Sequence, residues 1–107
     1  MELLTRLEDA ILVAVLRLGD TAYGVAVNRE VNFIFDRNYT LGALYFALGR
    51  LVNKEYLAKR LEEGTAKRGG RSRTYYRLTP EGKEALEAAR LHGERLRRAV
   101  PRPGKAG

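Results

Sequence analysis

From residue 4 to residue 18 the apolar positions recur at helical spacing. Leu7, Ile11, Ala14, Val15 and Leu18 form one stripe, and Leu4, Leu12 and Leu16 a second. One stripe suffices for a small monomer's own core, so the second predicts that this helix also meets another subunit. Thr5-Arg6-Leu7-Glu8 has the capping-box form that starts a helix, and Gly19-Asp20 ends it. A short second helix is expected over 22–31, capped by Asp20 or Thr21, with Val25, Ala26, Val27 and Val31 as its apolar surface. Gly24 inside it costs roughly 1 kcal/mol against alanine, which points to a ring or backbone lying close. Residues 32–39 read as a loop or a ragged helix end in which Phe33, Ile34 and Phe35 tuck under the core.

Thr40 is a good N-cap for a third helix over 41–54. Leu41, Leu44, Leu48 and Leu51 lie on one predicted buried face. Thr40, Ala43, Phe46, Ala47, Arg50 and Lys54 are assigned to the opposite face, which carries no acidic residue. Period-2 alternation predicts strands over 56–62 and 72–78, joined by a glycine-rich basic tip over 63–71. Thr79-Pro80-Glu81 is a strong start for a last helix reaching about residue 98. Leu86, Ala89, Gly93, Leu96 and Val100 follow a 3-4-3-4 spacing along it, a heptad seam that finds no core left to join in so small a domain.

Charge sharpens this picture. Residues 59–78 hold seven basic groups against two acidic, a net of +5, while residues 1–58 hold six against seven. Positive charge concentrated on a hairpin is the footprint expected for a polyanion, most often nucleic acid; the alternative is a solvated basic hairpin. With 45% apolar and 31% charged residues the 107-residue chain is globular rather than disordered. It has no cysteine and one histidine, His92, which excludes thiolate metal sites, cysteine nucleophiles and a zinc site built on two histidines. The longest apolar run, 10–16, is far short of the ~20 residues a bilayer needs. The N-terminus lacks the basic-then-apolar order of a signal peptide, so a cytoplasmic protein is expected. Glu8-Asp9 and Glu62-Glu63 are sequence neighbours that do not face one another, so no acid–base pair is visible and no enzyme is expected. Neither a cofactor nor a metal is implied.

The order helix, helix, helix, strand, basic hairpin, strand, helix is that of a winged helix-turn-helix, a mainly α fold with a small β-hairpin. The expected organisation is a DNA-binding domain over 1–78, a dimerisation helix over 79–100 and a flexible basic tail over 101–107. The motifs Tyr23-Gly24, Gly42-Ala43-Leu44-Tyr45 with Leu48 and Arg50-Leu51, and Arg68-Gly69-Gly70-Arg71 with Tyr75-Tyr76 and Leu78-Thr79, in this order, resemble the PadR family of bacterial transcription regulators. The resemblance covers residues 3–90 and falls in the short branch with a single C-terminal helix. It implies a homodimeric repressor on a pseudo-palindromic operator, with the last helix packed on the partner's first helix. Some members of the family release DNA on binding phenolic acids, and others bind flat aromatic drugs between subunits. Ala43 stands where the family often has Ser or Thr, Phe46 where it has Pro, and Asn53 and Tyr56 where it has an acidic residue and a glycine.

The candidate partners are therefore double-stranded DNA and a second copy of the chain. A protein partner for the wing, or an aromatic effector between subunits, are the alternatives. The reading helix 40–54 and the wing 62–72 supply the candidate DNA contacts: Tyr39, Thr40, Gly42, Ala43, Tyr45, Phe46, Arg50, Lys67, Arg68, Arg71, Arg73 and Tyr75. Thr40 serves as a cap, a phosphate ligand or both. Arg50 is expected to face outward, towards phosphate or guanine. Tyr45 and Tyr75 are open between packing and a backbone contact. The candidate dimer interface is Leu4, Leu12, Leu16, Leu86, Ala89, Gly93, Leu96 and Val100.

Overall fold

A computed structural model describes residues 4–64 and 66–101, with only the backbone of Arg68. Residues 102–107, most of the expected tail, and the Arg68 side chain lie outside the described residues. Helix α1 (Arg6–Leu18) starts at the predicted capping box. The Glu8 amide donates to Thr5 Oγ1 at 3.1 Å, and the Thr5 amide donates to Glu8 Oε1 at 2.9 Å. A single 3₁₀ turn, Gly19–Thr21, leads to α2 (Gly24–Phe35). Helix α3 (Leu41–Asn53) begins at Thr40, whose hydroxyl accepts from the Ala43 amide at 3.1 Å. The α2–α3 corner is fixed by two asparagines: Asn28 and Asn32 donate to the Tyr39 carbonyl, and the Tyr39 amide donates to Asn32 Oδ1.

Strands β1 (Leu57–Glu62) and β2 (Arg73–Leu78) pair antiparallel from Leu57↔Leu78 to Glu62↔Arg73. The Tyr76 amide donates to the Ala22 carbonyl at 2.8 Å, and Tyr23 bridges Tyr75, so the segment before α2 adds a short third rung to the wing. At the tip Gly69 and Gly70 have φ of 65° and 79°, backbone that side-chain-bearing residues seldom adopt. Helix α4 (Pro80–Ala99) follows Thr79, which caps Gly82 and donates its hydroxyl proton to the Glu55 carbonyl at 2.6 Å. The core forms where α1, α2 and α3 meet the base of the wing, around Ile11, Val15, Val27, Leu44, Leu48, Leu51 and Leu57. Each large aliphatic side chain buried there contributes about 1.5–3 kcal/mol.

The winged-helix order is as expected, but several placements are corrected. Neither Asp20 nor Thr21 caps α2: the 3₁₀ turn uses them, Thr21 donates to the Leu18 carbonyl, and Tyr23 takes the N-cap position without a side-chain cap bond. Helix α2 continues to Phe35 because Asp36 adopts the left-handed conformation that closes it, φ 49°. Phe33 is consequently not under the core but 82% exposed, and Phe35 is also exposed. On α3, Leu41 precedes the core contact and is exposed, whereas Ala47 sits between Leu44 and Leu51 and is buried. Leu12 is wholly buried in its own chain, so it belongs to the core and not to an outward stripe. Helix α4 does find core to join: Gly82 and Ala85 are buried, and a Cβ at Gly82 would strike the Tyr56 carbonyl oxygen.

Candidate nucleic-acid interface

Two surfaces adjoin on one side of the molecule. The first is the outer face of α3. Gly42, Ala43, Tyr45, Phe46 and Gly49 are exposed along it, and Phe46 is 70% exposed. Thr40 is engaged as the helix cap, and Tyr39 is half-buried with both backbone groups held by asparagines. Tyr45 lies against the start of α2: a Cβ at Gly24 would come within 2.6 Å of its ring carbons. The close approach is the one expected of this glycine, although Gly24 is the first residue of α2 and not an interior one.

Arg50 departs from the sequence reading. It is not a free outward cation, because its Nε donates to Glu8 Oε2 at 3.4 Å and its guanidinium lies 5.0 Å from the centre of the Phe46 ring. Lys54 Nζ donates to the same oxygen at 3.0 Å. Glu8 itself is 1% exposed. Burial pushes its carboxyl up, but the Thr5 amide, Lys54 and Arg50 outweigh this and hold it below the ordinary value. The capping box marked Glu8 in the sequence; its second role, across more than forty positions, left no local signal.

The second surface is the wing. A groove of about 610 Å³ runs between the N-terminus of α2, Tyr45 of α3 and the strands. Lys67, Arg71, Arg73 and Tyr76 are among the residues that line it. The guanidinium of Arg73 sits 3.9 Å from the centre of the Tyr23 ring, and Arg60 lies 4.7 Å over Tyr75. The Tyr23 and Tyr75 rings meet edge to face at 5.8 Å. These stacks hold two arginines in place; Arg60 also donates to Glu62 Oε2 at 3.3 Å, whereas the stack on Tyr23 leaves the hydrogen-bonding edge of Arg73 for an anion. Burial and the neighbouring Tyr45 push the Tyr76 hydroxyl up, so it stays a neutral donor. Helix α2 starts at Tyr23 on the rim of this groove without a side-chain cap bond, and its first residue, Gly24, is buried against the Tyr45 ring.

Tyr45, Lys67, Arg71 and Arg73 are thus brought together on the groove, and Tyr75 lines a separate recess beside Arg60. The sequence reading did not single out Tyr23, Arg60 or Tyr76 as site residues. Tyr23 and Tyr76 stand in the family-like motifs and Arg60 in the charge excess, so a signal existed for all three. Among the described residues no cluster of three or more His, Asp or Glu could hold a metal ion, and no helix is long and apolar enough to cross a membrane.

The chain matches the family model of the transcriptional regulator PadR-like family over residues 11–88. Among solved structures it is similar to a PadR-like transcription factor from Bacteroides fragilis, 26% identical with a TM-score of 0.75, covering 88% of this chain and 85% of that one. It is also similar to a PadR family transcription regulator from Clostridium difficile R20291, 27% identical with a TM-score of 0.67, covering 85% and 91%. Bordetella bronchiseptica BpsR, whose DNA binding is regulated by 6-hydroxynicotinic acid, shares the fold at 19% identity and a TM-score of 0.66, covering 95% and 70%. No curated protein sequence matches the chain.

Proposed function

The chain belongs to the PadR-like family of transcriptional regulators, and on that premise we propose that it is a homodimeric, cytoplasmic repressor reading a pseudo-palindromic operator. Helix α3 enters the major groove, and the wing grips the flanking backbone. The observation that carries this reading is the adjoining of the exposed, acid-free face of α3 to a groove lined by Lys67, Arg71 and Arg73. Phosphate contacts of that kind position a protein on DNA, and side chains on the inserted helix specify sequence. Two copies related by a two-fold axis place their reading helices ~34–36 Å apart, one helical turn of DNA. The proposed organisation is a reading unit over 1–78 and a dimerisation helix over 79–100. Leu16, Leu96 and Val100, exposed in the single chain, form the centre of the subunit contact, and Leu4, Leu86, Ala89 and Gly93 complete it.

The test is selection of binding sites from a random DNA pool, followed by fluorescence-anisotropy titration of the winner across a salt series. The expected result is a two-fold-symmetric sequence bound far more tightly than pool DNA. With ~6–10 phosphate contacts per dimer, affinity falls about 10³–10⁵-fold between 50 and 200 mM salt. Failure to enrich any sequence, with binding only at low salt, would overturn this reading in favour of a protein-binding module.

A second reading, effector control, is favoured by a cavity of about 310 Å³ lined by Arg6, Asp9, Ala10, Phe35, Arg37 and Tyr39. Two arginines against one carboxylate, Asp9, leave a net positive charge beside two aromatic rings, which suits a small aromatic acid. A thermal-shift screen with benzoate and hydroxybenzoates tests it: a ligand at 100 times its Kd adds about 2.7 kcal/mol of stability.

A further inference from the structure

The outer face of α3 is poor in hydrogen-bonding groups. Between the capping Thr40 and Arg50 it presents Gly42, Ala43, Phe46 and Gly49, with Tyr45 turned against α2. A Cβ added at Gly49 would meet nothing within 4 Å, so bare backbone flanks Phe46 on that side. Such a helix can approach base edges closely but has little with which to distinguish them. The discriminating chemistry is concentrated in one pair, Phe46 and Arg50, which lie one helical turn apart with ring and guanidinium 5.0 Å from one another.

Arg50 is held on two sides. Its Nε donates to Glu8, and one face of its plane lies over the Phe46 ring. Among the described residues its hydrogen bond to protein is made by Nε alone, which leaves the end-on fork of Nη1 and Nη2 to an outside acceptor. The side chain is 38% exposed, while the carboxylate that anchors it is 1% exposed and is itself fixed by the capping box and by Lys54. A rigid fork with two parallel donors matches O6 and N7 of guanine in the major groove. An exposed phenyl ring beside it has no polar atom and matches the C5 methyl of thymine.

We propose that Arg50 and Phe46 form a stacked reading pair for a guanine and a thymine in adjacent base pairs of each half-site, with Glu8 as the positioning residue that aims Arg50. The inference rests on the DNA-binding reading and specifies its sequence chemistry. The 5.0 Å separation suits neighbouring steps, since bases rise ~3.4 Å apart along a strand and the two contacts are offset within the groove. Glu8 acts through α1, so the element expected to carry part of the dimer contact also sets the aim of the reading arginine.

The experiment uses the full-length protein and its selected operator. Thymine at the read position is replaced by uracil, which removes only the methyl group. Guanine is replaced by 7-deazaguanine, which removes N7. The wild type is expected to lose affinity for both altered operators, by about 10- to 100-fold for the guanine change. Phe46→Ala should become indifferent to uracil, and Arg50→Lys, which keeps the charge but not the fork, less sensitive to 7-deazaguanine than the wild type. Glu8→Gln keeps an amide able to complete the capping box and should lower discrimination at the guanine alone, leaving other operator positions and the salt slope unchanged.

A selected operator with no position sensitive to uracil or to Arg50→Lys would overturn the reading pair while leaving the DNA-binding function standing. Tighter binding by Glu8→Gln would overturn the positioning role, because Glu8 would then be withholding Arg50 from DNA. Failure to select any operator would remove both. The uracil and Arg50→Lys measurements decide the reading pair even if Glu8→Gln does not fold.

Discussion

Glu8 and Asp9 are neighbours of the same chemistry with opposite fates. Glu8 collects the Thr5 amide, Lys54 and Arg50, and its carboxyl is held below the ordinary value. Asp9 has a buried Oδ1 with no hydrogen-bond donor among the described residues. Burial first, and the Glu8 charge second, push its carboxyl up, with His92 opposing. The signs therefore differ. Glu8, depressed on folding, contributes stability present above pH 4.5 and lost as pH falls through its folded value. Asp9, raised on folding, costs stability at neutral pH, and that cost is relieved as pH falls through its folded value towards 3.8. Asp9→Asn should accordingly raise Tm at pH 7, with the gain shrinking towards zero near pH 3.8, as followed by calorimetry across pH. Gly24→Ala should destabilise by about 1–3 kcal/mol in urea unfolding, because the new methyl meets the Tyr45 ring. Truncating that ring with Tyr45→Ala should recover much of the loss in a double-mutant cycle. The need for Gly24 was legible in the sequence as a glycine in a helical stretch, although the helix in fact starts at it. The tie from Glu8 to Arg50 was not, because no local pattern encodes which oxygen of a capping carboxylate is left for a distant partner.

At the scale of elements, caps and periods were the legible features. The Thr5, Thr40 and Thr79 caps all form, and both strands begin within one residue of their expected positions. What the period could not resolve was where a helix meets its core. Leu41 and Ala47 both satisfy helical spacing, and only the docking of α3 on α1 and α2 decides that the alanine is buried and the leucine is not. The rung made by Ala22 and Tyr23 is too short to show alternation, yet it carries Tyr23 under Arg73 and builds the groove wall. The wing is therefore braced at its root while its cations line the groove. Lys67→Ala and Arg71→Ala should each lower the slope of log affinity against log salt by about 0.9 and weaken operator and pool DNA alike. A loss confined to the operator would instead place that side chain on a base.

The whole molecule is long for its mass. Its radius of gyration is 16.2 Å and its extents are 64 × 27 × 20 Å, whereas a compact chain of about 100 residues has a radius near 13 Å. Helix α4 is the reason: twenty residues span ~30 Å, and its buried residues, Gly82 and Ala85, lie near its start. Beyond them Leu91, Leu96 and Val100 are exposed on a helix whose sequence carries a heptad seam. A lone helix of this length gains little from propensity and relies on packing of its apolar stripe. In the proposed dimer that packing comes from the partner, and the two reading helices are tied at a fixed spacing. Leu96→Asp, placed where the leucine is 57% exposed in the single chain, should leave the core intact while converting the dimer to monomer in sedimentation velocity. Its operator affinity should fall about 10²–10⁴-fold, since each half-site must then be bound without the effective concentration supplied by the other. Affinity for pool DNA should change far less, because the wing charges are untouched. A Leu96→Asp protein that still sediments as a dimer would move the subunit contact off this seam, and the spacing of half-sites would then have to be set by another surface, with exposed Phe33 of α2 the first to test.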